Sequence, residues 1–251
     1  MRHTLRNALL IAPLALPSAV LAEAWPAPIQ ALADQGLIIH ERFEAPGGLT
    51  GFAASAQGRE IAVYLTADGE HAVVGNLVNA EGDNLSADPL ERLVRAPRDA
   101  ETWAELADSA WIADGDPSAE RILYVFTDPN CPYCSRFWQQ ARPWVEAGRV
   151  QLRHIMVGIL EPDSPRLAIS MLAAEDPAAA LAAHERGEGI EPLEQLPRRL
   201  ETRLQENHER MRGMGLHATP SILYRDGELV EVLQGVPQGE QLARIMGSPA
   251  P

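Results

Sequence analysis

Lysine is absent from this 251-residue chain: all 21 basic side chains are arginine, set against 35 acidic ones, for a formal net charge of −14. The missing lysines read as a bias of composition rather than as mechanism. A nucleic-acid binder needs a positive face to neutralise phosphates, so this balance argues against DNA or RNA as a partner. Beyond the first two dozen residues there is no apolar run long enough to span a bilayer. There is no glycine period either, and 46% of the residues are hydrophobic; collagen-like and disordered chains look different. Cysteine is scarce, with two in the whole chain. A chain of this length buries an adequate core as one large or two modest domains without needing disulfides.

The first residues read as an address. Arg2 and Arg6 form a positive n-region, Ala8 to Leu16 an apolar h-region, and Val20-Leu21-Ala22 a stretch small enough to be cut. Pro13 and Pro17 argue against a buried core helix there. Residues 1–22 are expected to be a cleaved signal peptide, with cleavage after Ala22 or after Ala24 as the contenders. The remainder is then an exported soluble protein.

Export changes how Cys131 and Cys134 read. A stabilising disulfide gains most by closing a long loop, and Cys131-Pro132-Tyr133-Cys134 would close almost none. A structural zinc site needs four ligands, and no second cysteine pair or spaced histidine pair accompanies these two. The remaining reading is a redox-active dithiol that cycles through a Cys131–Cys134 disulfide. Ile122 to Phe126 is a continuous apolar run expected of a strand buried on both faces, and Thr127 to Asn130 is a turn. Pro132 then suits a first helical position, with Phe137, Trp138, Ala141 and Val145 at helical spacing, a kink near Pro143 and an end at Gly148. Cys131 at the helix N-terminus meets unpaired N–H groups and the helix dipole, which favour a thiolate. The expected arrangement is an exposed attacking sulfur at Cys131 and a sheltered resolving one at Cys134.

Thr219-Pro220 precedes Ser221 to Tyr224, a turn at Asp226-Gly227, and Glu228 to Leu233, which reads as a β-hairpin. Alone, that proline fits a plain edge-strand start. After a strand–Cys-x-x-Cys–helix unit it matches the order of a thioredoxin fold, where a cis-proline lies against the active-site sulfurs and offers backbone to an extended substrate.

The stretches Thr127 to Cys134, Phe137 to Val145, Val150 to Arg153 and Ala218 to Ile222 together resemble the DsbC/DsbG family of periplasmic disulfide interchange proteins. So do Pro26 to Ile29, Phe43 to Gly48 and Tyr64 to Gly69, and the resemblance covers essentially the whole mature chain. Part of that family usually carries glycine and tyrosine where Pro132-Tyr133 stand here. The resemblance implies an α+β architecture: residues 23–87 as a small antiparallel dimerisation domain, 88–113 as a linker helix, and 114–251 as a thioredoxin-like catalytic domain with a helical insertion. It further implies a V-shaped homodimer acting on exported proteins with oxidised cysteines. Cys131 and Cys134 would carry the chemistry, with Pro132, Tyr133, Thr219 and Pro220 contacting substrate. The membrane reductase DsbD would be the electron donor, with no cofactor and no metal. Reduction of sulfenic acids and a chaperone activity are part of the same expectation.

The sequence can be laid onto that plan. Ile29 to Gln35 reads as a short helix ended by Gly36, and residues 37–44, 49–55, 59–66 and 70–79 read as strands. Pro89 to Ala113 reads as a helix interrupted near Pro97. Arg166 to Ala183, broken at Pro177, and Leu193 to Met211 form the helical insertion, the charge run from Arg198 to Arg210 being a solvated face. Trp138 and Trp144 read as packing residues, Tyr133 as partly exposed, and the histidines as scattered. His217, near Thr219-Pro220, fits a surface loop. Thioredoxin itself has a buried aspartate six residues before its first cysteine, where Val125 stands here, so no carboxylate is assumed as proton acceptor for Cys134. Two other functions stay open: a dimeric chaperone-like binding module with a secondary redox role, and a net dithiol oxidase.

Overall fold

The computed structural model describes residues 24–251, so the signal-peptide reading of residues 1–22 lies outside the described residues. The described chain forms two compact units that divide between Ser86 and Ala87.

The first unit opens with helix α1 (Ala27–Asp34), which starts after Pro26 with a further proline in its first turn and stops before Gly36, whose φ is +99°. Strands β1 (Ile38–Glu44), β2 (Thr50–Ala56), β3 (Arg59–Leu65) and β4 (Ala72–Val74) follow as an antiparallel sheet in sequential order. Ile29, Phe52, Ala54, Val63 and Leu65 make its core. Gly51 lies opposite Phe43, and a Cβ there would stand 2.3 Å from the Phe43 ring, so any larger residue would displace that ring. The last strand is shorter than the expected 70–79. Its pairing ends at Gly75, whose N–H turns to Ala62 O, and Val78 makes only an isolated bridge to Asn84.

The second unit begins with helix α2 (Ala87–Leu90), a π-turn (Glu91–Arg95) and helix α3 (Ala96–Ala107). The expected interruption near Pro97 takes the form of this π-turn, after which a regular α-helix restarts with Pro97 in its first turn. The π-turn, with Ala96 N–H reaching back to Glu91 O, lets the helical backbone run on into the proline that lacks a donor. The helix ends sooner than expected, because Trp111 to Asp114 form strand β5. Then come β6 (Arg121–Thr127), α4 (Pro132–Glu146), β7 (Val150–Met156), α5 (Ser164–Leu172), α6 (Pro177–Glu185), α7 (Arg198–Gly213), β8 (Ser221–Asp226), β9 (Leu229–Gln234) and α8 (Glu240–Met246). The five strands lie in the order β5-β7-β6-β8-β9, with β6 and β7 parallel and the rest antiparallel.

Central β6 is buried on both faces, which divides its side chains between two cores. Leu123 and Val125 pack with Phe137, Ala141, Trp144 and Val145 of α4 and with Ile245 of α8. Tyr124 and Phe126 pack with Leu106 of α3 and Met211 of α7. The insertion forms a third cluster, in which Ile112 and Met156 meet Ala168, Ile169, Leu181 and Leu204. Pro177 opens α6 after an Asp176 cap that accepts from Ala179 N, and α7 begins at Arg198 rather than 193 because Pro197 precedes it. Asn207 on the otherwise charged α7 is buried, spanning Ala110 and Met156 backbone groups.

Candidate active site

Apolar β6 delivers the chain into a turn whose hydrogen bonds are local. Asn130 N donates to Asp128 Oδ1 at 2.8 Å and Cys131 N to Asp128 O at 3.1 Å. Cys131 is the N-cap of α4 in extended conformation, with Pro132 in the first turn where a missing N–H costs nothing. Its sulfur takes the part of a capping oxygen: Cys134 N donates to Cys131 Sγ at 3.3 Å. In its protonated form the Cys131 thiol donates to Thr219 O at 3.2 Å. The Thr219–Pro220 peptide bond is cis and enters β8.

These neighbours separate two chemically identical groups. A hydrogen bond from the Cys134 thiol, helped by the Thr219 hydroxyl and the N–H groups of Cys134 and Tyr133, outweighs burial and holds the Cys131 thiol down at about 6. Burial first, then the adjacent Cys131 sulfur, pushes the Cys134 thiol far above the ordinary range. The difference is one of depth and hydrogen bonding rather than of accessible surface. Both cysteines are free thiols only 3% exposed, so the expected contrast between an exposed and a sheltered sulfur is corrected: the Thr219 carbonyl and its loop cover Cys131 as well. Tyr133, between them, is 55% exposed. Trp138 and Trp144 are buried packing residues, and His217 is at the surface.

Beneath α4 lies a polar group the sequence did not announce. His154 on β7 is the register partner of Val125, is buried, and places Nδ1 2.9 Å from Thr127 Oγ1. Its Nε2 is 3.6 Å from Asp114 Oδ2. Arg142, stacked 4.0 Å from the Trp138 ring centroid, grips the same carboxylate with both terminal nitrogens. Burial opposes ionisation of Asp114, but hydrogen bonds from His154 and Arg142 prevail and hold it at about 2. A half-buried carboxylate is therefore present in this layer, two strands across the sheet from Val125.

The turn is also tied to the helical insertion. Asp128 is fully buried and its Oδ2 accepts from Ile159 N and Leu160 N, while Oδ1 accepts from Ser164 Oγ as well as Asn130 N. Asn130 Nδ2 donates to Asp163 Oδ1 and Ser164 Oγ, and His184 Nε2 donates to Pro129 O at 2.7 Å. The Asx turn at Asp128 has a local signal, a short acid before proline. His184, Asp163 and Ser164 have none.

A Cys-x-x-Cys at the head of a helix, facing a cis-proline strand in this sheet order, defines a thioredoxin-like protein, and residues 116–248 match the model of the thioredoxin-like domain. Similarity extends through both units. The chain is 48% identical over 233 residues to the thiol:disulfide interchange protein DsbG of Pseudomonas aeruginosa, covering 91% of each, and 40% identical over 238 residues to DsbG of Escherichia coli, covering 93% of this chain and 96% of that one. It belongs to the DsbG family of thiol:disulfide interchange proteins and is a thiol-disulfide oxidoreductase. Among solved structures, Proteus mirabilis ScsC in a transitional conformation is 25% identical with a TM-score of 0.50, over 65% of this chain and 84% of that chain.

Proposed function

We propose that the protein reduces or isomerises disulfides, and reduces sulfenic acids, on exported proteins in the periplasm. The observation that carries this reading is the division between the two thiols, with Cys131 held at about 6 and Cys134 driven upward. Cys131 thiolate attacks an oxidised substrate sulfur. With a disulfide, it forms a mixed disulfide and expels the substrate's other thiolate; with a sulfenic acid, it forms the same mixed disulfide and hydroxide leaves as water after protonation. Cys134 then loses its proton and attacks Cys131 Sγ, which releases the substrate thiol and leaves a Cys131–Cys134 disulfide. Two electrons from a membrane reductase of the DsbD type restore the dithiol. Thr219 and Pro220 present backbone to the substrate beside the sulfurs, and Pro132 and Tyr133 form the near rim.

In this reading residues 1–22 are a signal peptide, residues 23–87 a dimerisation domain, 88–113 a linker and 114–251 the catalytic domain. The sheet of the first unit has unpaired edges at β1 and β4, and Ile38, Val73, Val74 and Val78 expose large apolar side chains. A second copy covering them gives a homodimer, the form in which a chaperone-like cleft is also expected.

The test is the redox state of Cys131 and Cys134 in cells, trapped by acid quench and alkylation, with and without the membrane reductase. Free thiols that become oxidised on removal of the reductase are the expected result. A disulfide in both strains overturns the reductase reading in favour of a net oxidase or an idle dithiol.

A further inference from the structure

The segment that follows β7 is tied down at every backbone amide. Val157 N donates to Thr127 O at 2.9 Å, Gly158 N to His208 Nε2 at 2.9 Å, Ile159 N to Asp128 Oδ2 at 2.6 Å, Leu160 N to the same oxygen at 3.0 Å, and Glu161 N to Ser164 Oγ at 3.1 Å. Two of the acceptors, Thr127 and Asp128, belong to the turn that carries Cys131. Gly158 seats the segment against the start of α5, where a Cβ would meet Pro165 N at 2.5 Å. A connection with this many anchors has little freedom of its own.

Val157 points into the core, but the next two apolar side chains face water. Ile159 is 44% exposed and Leu160 48% exposed, in a segment whose backbone has no such freedom. Loose apolar residues on a mobile loop are ordinary, whereas an apolar pair held rigidly and left uncovered is prepared for contact, since the cost of ordering it is already met. Asp128 links the pair to the reacting sulfur: its carboxylate holds Ile159 and Leu160, and its carbonyl accepts from Cys131 N. The shelf and the cysteine turn are one bonded unit, with exposed Tyr133 on the same turn–helix junction. Glu161 and Asp163 follow, exposed, as a polar margin.

We infer that Ile159 and Leu160 form an apolar shelf that receives an apolar side chain of the substrate polypeptide close to its oxidised cysteine. Asp128 and His208 are positioning residues that keep the shelf in place. The inference rests on the interchange reading above and adds to it a substrate preference, for cysteines flanked by apolar rather than polar residues.

The double variant Ile159→Ser, Leu160→Ser keeps every anchoring N–H and removes only the apolar surface. Its reduction rate is measured on two activated peptide disulfides, one with the cysteine between leucines and one with it between serines. Loss of one buried aliphatic contact predicts a fall of roughly tenfold on the leucine peptide and under about twofold on the serine peptide. Equal losses on both, or no loss on either, overturn the shelf. Fluorescence anisotropy with the leucine peptide carrying serine in place of cysteine reads the shelf without redox chemistry: a weakened Kd in the double variant supports it, and an unchanged Kd overturns it. If the wild-type protein reduces neither peptide faster than its Cys131→Ser variant, the interchange reading fails, and the anisotropy result still decides the shelf.

Discussion

Asp128 and Cys131 show how much of this protein's chemistry depends on single side chains whose partners are main chain. The Asp128 carboxylate accepts from three backbone N–H groups and one hydroxyl. An asparagine there would turn an NH2 toward N–H donors, so Asp128→Asn is expected to be no milder than Asp128→Ala. Each should lower stability by about 2–4 kcal/mol, read from urea unfolding midpoints. At Cys131 the expected outcome concerns rate. Alkylation by iodoacetamide should rise with pH through a midpoint near 6, because only the thiolate reacts, and Cys131→Ser should abolish it. Cys134, with its thiol held up by burial, should stay unreactive in the folded protein. A midpoint near the ordinary thiol value would show that the Cys134 thiol and the N–H groups around Cys131 do not activate it.

At the scale of elements, helix α3 is fastened to the sheet by one buried carboxylate: Asp99 Oδ2 accepts from Val230 N at 2.9 Å, with Arg95 and Arg98 beside it. Asp99→Ala should cost about 1–3 kcal/mol in thermal or urea unfolding while leaving the Cys131 alkylation profile unmoved. Elements with strong local periodicity could be read from the residues alone. Apolar Ile122 to Phe126, the Pro132 helix and the hairpin at Asp226-Gly227 stand where their patterns put them. Those set by partners could not. Four-residue β5 has too little sequence to show a period, seven-residue α8 likewise, and residues 75–79, with Gly75, Asn76 and Asn79 among them, make no more than the isolated Val78–Asn84 bridge. The same division runs through the site. The cysteines and Thr219-Pro220 carry local signals, whereas the bonds from Asp128 to residues 159, 160 and 164 and from Gly158 to His208 join positions 31 to 50 residues apart.

For the whole molecule, acidification should act in two windows. His208 has its protonated form disfavoured by burial and by Arg212, so the unfolded chain takes up that proton first and stability falls as pH drops below the ordinary histidine value. His208→Gln, which keeps an acceptor for Gly158 N, should flatten that slope between roughly pH 7 and 5. Asp114, depressed to about 2, contributes stability that is whole above its unfolded value near 4 and lost between there and 2; its size is about 2 kcal/mol. Thermal melts of Asp114→Asn should therefore converge on wild type as pH approaches 2. Assembly is tested separately, by light scattering of Val73→Asp, Val74→Asp: the proposed homodimer should become a monomer with the second unit's unfolding unchanged. The anchored segment beside the cysteines has one more consequence, for retargeting. Because main-chain N–H groups make the anchors, the side chains at 159 and 160 are interchangeable for any residue except proline without disturbing the turn that holds Cys131, while Gly158 is not. Client preference can then drift, or be engineered, at two positions without touching the reacting sulfurs.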